Sequence, residues 1–191
     1  MRRAPANLLL LCLAASWVAG SAVGQGVRRA SEVVEPRAYV SLVPVPRGRD
    51  FEVAVVARIR PGYHINAHEV SENYLIPTVL EADLPPGFHL LDTFHPPGVL
   101  RSFEFSPTKL SVYEGSTTLR MKFRALPDAP LGPQKLLLTL RYQACTDRAC
   151  LPPVKLPVAA ELEVAPADAP SRPAHTDIFQ AGRRPKTQSP H

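Results

Sequence analysis

Phe51-Glu52-Val53-Ala54-Val55-Val56-Ala57-Arg58-Ile59-Arg60 is the stretch on which the fold turns. Phe51, Val53, Val55, Ala57 and Ile59 fill one set of alternate positions, and Glu52, Ala54, Val56, Arg58 and Arg60 fill the other. Successive side chains of a strand point to opposite faces, so this segment has one apolar face and one that becomes charged towards its end. Similar short segments recur at 38–45, 74–82, 87–92, 109–113, 117–125, 135–143 and 154–164. Turn signals separate them, among them Pro61-Gly62, Pro85-Pro86-Gly87, Glu114-Gly115 and Leu131-Gly132-Pro133. About eight short strands predict an all-β chain, an immunoglobulin-like two-sheet sandwich. The 22 prolines among 191 residues agree with this, since proline breaks helix interiors and is tolerated at turns and strand edges. The Cys…Trp…Cys spacing of true immunoglobulin domains is absent, because Trp17 lies in the leader described next.

The first 24 residues read as a secretory signal. Arg2 and Arg3 form its charged start, Leu8 to Val18 an apolar run, and Gly20-Ser21-Ala22 or Ala22-Val23-Gly24 a small-residue cleavage site. Cys12 sits mid-run behind Leu9-Leu10-Leu11, which is not the pattern of a lipid-acylated cysteine, and leaves with the signal. The division expected is signal 1–24, linker 25–37, sandwich 38–166 and a proline-rich basic disordered tail 167–191. No other segment approaches 18 consecutive apolar residues, so an exported chain without a transmembrane segment is expected after cleavage. The formal charge of +5 comes mostly from the ends. Without residues 1–24 and 167–191, 16 basic and 15 acidic residues remain, too even a balance for a nucleic-acid partner.

Cys145 and Cys150 are then the two cysteines left, and an oxidising compartment favours a disulfide between them. They flank Thr146-Asp147-Arg148-Ala149, read as the four-residue loop of a hairpin, where facing residues have Cα atoms about 4.5–5.5 Å apart. Closing about six residues contributes only about 2 kcal/mol of chain entropy, against nearly 5 for a loop of about 100. As a staple this bond constrains little, whereas a bond with one accessible sulfur suits exchange. Arg148 would stabilise a thiolate and Asp147 would oppose it.

The run 142–153, Tyr-Gln-Ala-Cys-Thr-Asp-Arg-Ala-Cys-Leu-Pro-Pro, resembles the active-site segment of the N-terminal periplasmic domain of the thiol:disulfide interchange protein DsbD. Pro61-Gly62-Tyr63-His64-Ile65-Asn66, Tyr74-Leu75-Ile76-Pro77-Thr78, Leu84-Pro85-Pro86-Gly87 and Leu110-Ser111-Val112-Tyr113-Glu114-Gly115 fall in that family's order, over about residues 38–164. The resemblance implies a periplasmic, cofactor-free electron carrier whose Cys145/Cys150 pair exchanges with thioredoxin-like oxidoreductases or a membrane electron-transfer protein. It implies that Cys150 attacks the partner and Cys145 resolves. It places the aromatic shield of a cap loop at Phe94, within Asp92-Thr93-Phe94-His95, and a supporting wall at Tyr63, His64 and Asn66. Residues 99–108 read as an insertion after the cap. No membrane or thioredoxin-like domain accompanies the segment in these 191 residues, so a separate electron donor is implied.

Two other readings stand beside this one. A metal could be held by Cys145 and Cys150 with His64, His68, His89 or His95, although Cys-x4-Cys lacks the usual short zinc knuckle. The sandwich could also be a non-enzymatic binding module with a purely structural disulfide. Ser71, Glu72, Asp92 and the histidines form no recognisable hydrolytic arrangement, and there is no phosphate-binding glycine loop.

Overall fold

The computed structural model describes residues 29–180. The expected signal 1–24, Cys12 and the basic run 183–186 lie outside the described residues. In chain order the elements are a 3-10 turn at Ala30–Glu32, β1 (Val34–Val40), β2 (Leu42–Val43), β3 (Val45–Pro46), β4 (Asp50–Ile59), β5 (His64–Asn66), β6 (Val79–Asp83) and β7 (Phe88–Phe94). There follow β8 (Val99–Arg101), β9 (Leu110–Tyr113), β10 (Ser116–Ala125), β11 (Gly132–Tyr142), β12 (Ala144–Cys145), β13 (Val154–Ala165), β14 (Arg172–Pro173) and a short helix α1 (Thr176–Gln180).

The alternation in 51–59 does what its pattern predicts. Phe51, Val53, Val55, Ala57 and Ile59 are all buried, and β4 pairs antiparallel with β1 on one side and β10 on the other. With β7 these make one sheet, ordered β1-β4-β10-β7, and β3-β13-β11-β6 make the second. Their facing sides form one core, in which Val53, Val55, Leu119, Met121 and Phe123 meet Leu136, Leu138, Leu140, Val158 and Ala160. The all-β sandwich is the fold of this chain, and the expected segments hold its strands, although that at 74–82 becomes one only from Val79.

A third sheet, ordered β12-β5-β9-β8, sits at one end of the sandwich and carries the cysteines. Its strands have two to four residues, too short to be stable alone, so neighbouring features hold them in place. The turn before β5 is built from Arg60-Pro61-Gly62-Tyr63: the Tyr63 N–H donates to the Arg60 carbonyl at 3.1 Å, and Gly62 has φ +81°. That conformation at the third turn position favours glycine. At Gly98, which leads into β8, an added Cβ would overlap the Ser111 hydroxyl and lie 2.6 Å from Ala67 Cβ. Only glycine lets this loop lie against β9.

Both boundaries of the domain differ from expectation. The 25–37 linker gives way at Val33 and Val34, both buried, and β1 begins at Val34 instead of about 38. The 167–191 tail is structured through Gln180: β14 pairs with β2, the Ser171 hydroxyl donates to the Pro44 carbonyl at 2.7 Å, and Phe179 is buried. The Phe179 carbonyl also accepts from Arg120 at 3.2 Å. One aromatic ring and a pair of backbone bridges thus order a segment whose composition is that of a linker. Phe179→Ala is expected to lower unfolding stability by about 2 kcal/mol, the scale of burying one such ring. A urea midpoint measured on both chains checks this, and an unchanged midpoint would mean the docked segment contributes nothing.

Candidate functional site

Cys145 and Cys150 are joined as a disulfide across the loop 146–149, with Cα atoms 3.9 Å apart, closer than the pairing distance of a regular hairpin. The loop is closed by Thr146, whose N–H donates to the Ala149 carbonyl at 2.9 Å and whose hydroxyl accepts from the Arg148 and Ala149 N–H groups at 3.3 Å. Below it the Leu151 N–H donates to the Ala144 carbonyl at 2.8 Å. The two sulfur-bearing residues are unequal. Cys145 is 0% exposed, whereas Cys150 and the loop residues Asp147, Arg148 and Ala149 are exposed. Cys150 is thus the cysteine at the surface and Cys145 the one beneath it.

A polar cluster behind the bond fixes the strands that carry it. The Asn66 amide nitrogen donates to the Ile76 carbonyl at 3.0 Å and to Gln143 Oε1 at 3.3 Å, and Gln143 Nε2 donates to the Leu151 carbonyl at 3.3 Å. Asn66, expected as part of a supporting wall, hydrogen-bonds β5 to Ile76 and to Gln143, the residue before β12. Tyr142, one residue before this cluster, donates through its hydroxyl to the Ala30 carbonyl at 2.7 Å. Tyr63 packs, half-buried, against the main core.

His64 lies directly opposite Cys145 in the β5–β12 register. It is 2% exposed, and its Nε2 is buried with no hydrogen-bond partner. Burial pushes its pKa down, and the negative charges of Glu114 and Asp147 partly oppose this. Phe103 stacks on its ring with centroids 4.0 Å apart, and Phe105 stacks on Phe103 at 5.4 Å. Phe103 is anchored on a small second core of Leu75, Leu110 and Val112. The segment 99–108, read from sequence as an insertion, therefore delivers an aromatic ring to the strand that faces Cys145. The only signal for it was the Phe103/Phe105 spacing, one strand period with no pattern around it.

The expected cap residues Phe94 and Asp92 lie on β7, the edge strand of the β1-β4-β10-β7 sheet. Phe94 ends β7, 41% exposed, with the Arg120 guanidinium 4.6 Å above its ring centre. Asp92 lies near it and accepts from the Thr93 N–H at 2.8 Å, and the two line a cavity of about 200 Å³ with Glu52, Arg120, Met121 and Lys122. This is the β1-β4-β10-β7 sheet, whereas the cysteines are in β12 and the bridge beside it.

The histidines of the metal reading are dispersed. His64 faces Cys145, His89 pairs with Arg124 in β7, and His68 stacks on His95 with centroids 3.6 Å apart. Among the described residues no group of three or more His, Cys, Asp or Glu side chains is gathered to hold a metal. In the stacked pair His68 Nδ1 is 3.1 Å from the Thr78 carbonyl, while His95 Nε2 is buried without a partner. Burial, and then the neighbouring His68, hold His95 down to about 4. Its folded pKa lies below the ordinary 6.5, so the stability it gives is complete above pH 6.5 and is lost as pH falls from there towards 4. Because the ring is only partly buried, a loss of about 1 kcal/mol by pH 5 is expected. Urea midpoints at pH 7.5 and 5 measure it, and His95→Gln should shrink the difference, leaving the part due to buried His64; an equal drop in both chains would place the acid sensitivity elsewhere.

No curated protein matches the sequence. Among solved structures, the crystal structure of the N-terminal periplasmic domain of ScsB from Proteus mirabilis is similar with a TM-score of 0.45 and 11% identity. The match covers 75% of this chain and 51% of that one, so the chain spans about half the length of that solved chain. A family model described as thiol:disulfide interchange protein DsbD, N-terminal, matches residues 30–161. That span runs from the 3-10 turn into β13 and takes in the sandwich, His64 and both cysteines. With an unequal disulfide at the end of an all-β sandwich, and a family match over more than half of its length, the chain belongs to the family of DsbD N-terminal domains.

Proposed function

We propose that this chain is a periplasmic electron carrier that passes two electrons between thioredoxin-like proteins through the Cys145–Cys150 pair. The observation that carries the reading is the inequality of the two cysteines, one buried and one exposed, in a chain of this family. In the reduced chain the exposed Cys150 thiolate attacks one sulfur of a partner disulfide, forming a mixed disulfide and expelling a partner thiolate. Cys145 then attacks Cys150 Sγ, closes the intramolecular bond and expels the second partner thiolate. Two electrons and two protons move to the partner. Export through the signal 1–24 fits this chemistry, because a disulfide persists in an oxidising compartment.

Phe103, held on Leu75, Leu110 and Val112 and stacked on His64, acts as the shield of the buried sulfur. Phe94 and Asp92 lie beside Arg120 and serve the outer face of the other sheet. The test is to mix the reduced protein with an oxidised thioredoxin-like protein and follow partner reduction by its tryptophan fluorescence. Transfer at least about 100-fold faster than by dithiothreitol at equal thiol concentration is the expected result. A rate no better than dithiothreitol would leave the disulfide a staple and the chain a binding module.

A further inference from the structure

A thiol closing onto a mixed disulfide must lose its proton, because the thiolate is the nucleophile. Cys145 makes that step from a site that is 0% exposed, so water is poorly placed to take the proton. Paired residues of antiparallel strands present their side chains on the same face with Cβ atoms about 4.5–5.5 Å apart. The residue paired with Cys145 is His64. Its Nε2 is buried and bonds to nothing while the disulfide is intact, which is the condition in which Cys145 has no proton to give. A buried ring nitrogen with no partner is costly in a finished structure, and it is accounted for if its partner exists only in the reduced state.

We propose that His64 is the proton acceptor for the Cys145 thiol in the ring-closing step, a role that rests on the exchange function proposed above. As Cys145 Sγ forms its bond to Cys150 Sγ, its proton passes to His64 Nε2, and the Cys150–partner bond breaks. The imidazolium then gives the proton to the departing partner thiolate, so the ring returns to its neutral form and the partner leaves as a thiol. In electron transfer the other way, His64 takes the proton of the attacking partner thiol and passes it to the Cys145 thiolate released when that partner's sulfur bonds to Cys150, which leaves the ring neutral again. The surroundings suit both states of the ring. Burial keeps it neutral beforehand, and Glu114 in the β9–β10 turn and Asp147 in the active loop are the charges that favour the imidazolium once formed. Phe103, stacked on the ring, stabilises the cation through its π face.

The experiment uses glutathione disulfide on the reduced protein. Attack by Cys150 places a glutathionyl group on its sulfur, and acid quenching followed by alkylation and mass analysis times its loss as Cys145 closes the ring. In the unaltered protein the closing rate should be nearly flat above pH 7 and fall in acid as His64 takes up a proton. In His64→Gln it should be at least about tenfold slower at pH 7, rise about tenfold per pH unit, and converge with the unaltered protein near the ordinary thiol pKa of about 8.5 or above. Equal pH profiles in the two chains, or a variant slower by one factor at every pH, would overturn the assignment while leaving exchange intact. Persistence of both free thiols, with neither a glutathione adduct nor the Cys145–Cys150 disulfide formed at any pH, would remove the exchange reading and this role with it. A second reading needs no variant: the imidazole NMR signals of His64 should titrate differently in the oxidised and reduced protein, and identical titrations would overturn the proposal.

Discussion

Cys145→Ser is expected to capture a thioredoxin-like protein as a stable mixed disulfide, and Cys150→Ser to capture none. The probe is a thioredoxin-like protein with a single active-site cysteine, activated as its mixed disulfide with thionitrobenzoate. In Cys145→Ser the remaining thiol at position 150 is exposed, attacks the probe sulfur and releases the coloured thionitrobenzoate, and with no Cys145 to resolve it the complex accumulates. In Cys150→Ser the remaining thiol is 0% exposed beneath the loop 146–149, so attack requires an opening of the site and should be slower by about 100-fold or more. The unaltered reduced protein releases the same colour but accumulates no complex, because Cys145 expels the probe. Capture by Cys150→Ser alone would reverse the roles of the two sulfurs, and capture by neither would count against exchange altogether.

The second large effect is expected at Phe103. Its ring is stacked on His64, the residue paired with Cys145, and is seated on Leu75, Leu110 and Val112, and the proposed shield role requires it to move before a reagent reaches Cys145. Undoing the partial burial of this ring costs about 1–2 kcal/mol, which suppresses the open form roughly 5–30-fold. Phe103→Ala should therefore raise the rate at which iodoacetamide alkylates Cys145 in the reduced protein by that factor. Phe94→Ala should leave the rate unchanged, because Phe94 lies against Arg120 in the other sheet. Acceleration by Phe94→Ala and not by Phe103→Ala would return the shield to the cap segment 92–95.

The two variants also mark how far the sequence could be read. The seven long strands of the sandwich announce themselves because each has five residues or more, enough for a period of two to be visible, as in Phe51 to Ile59. β5, β8 and β12 have two or three residues and no such room. Their positions depend on distant partners, such as Asn66 with Ile76 and Gln143, that no local pattern encodes. The disulfide was legible because its loop is short and local. Its setting was not, since the pairing of His64 with Cys145 spans about 80 residues and Phe103 arrives from a segment without periodicity. The C-terminal segment shows the same limit from the other side: its composition is that of a disordered chain, yet the buried ring of Phe179 and the pairing of β14 with β2 dock it.

The account's central claim, that Cys145–Cys150 is an exchange disulfide and not a staple, is tested most directly by its reduction potential. The purified protein is equilibrated in glutathione or dithiothreitol buffers, and its free thiols are counted by alkylation and mass. A value between about −270 and −120 mV, the range spanned by exchange proteins, is the predicted result. A value well below about −300 mV would make the bond structural and contradict the account.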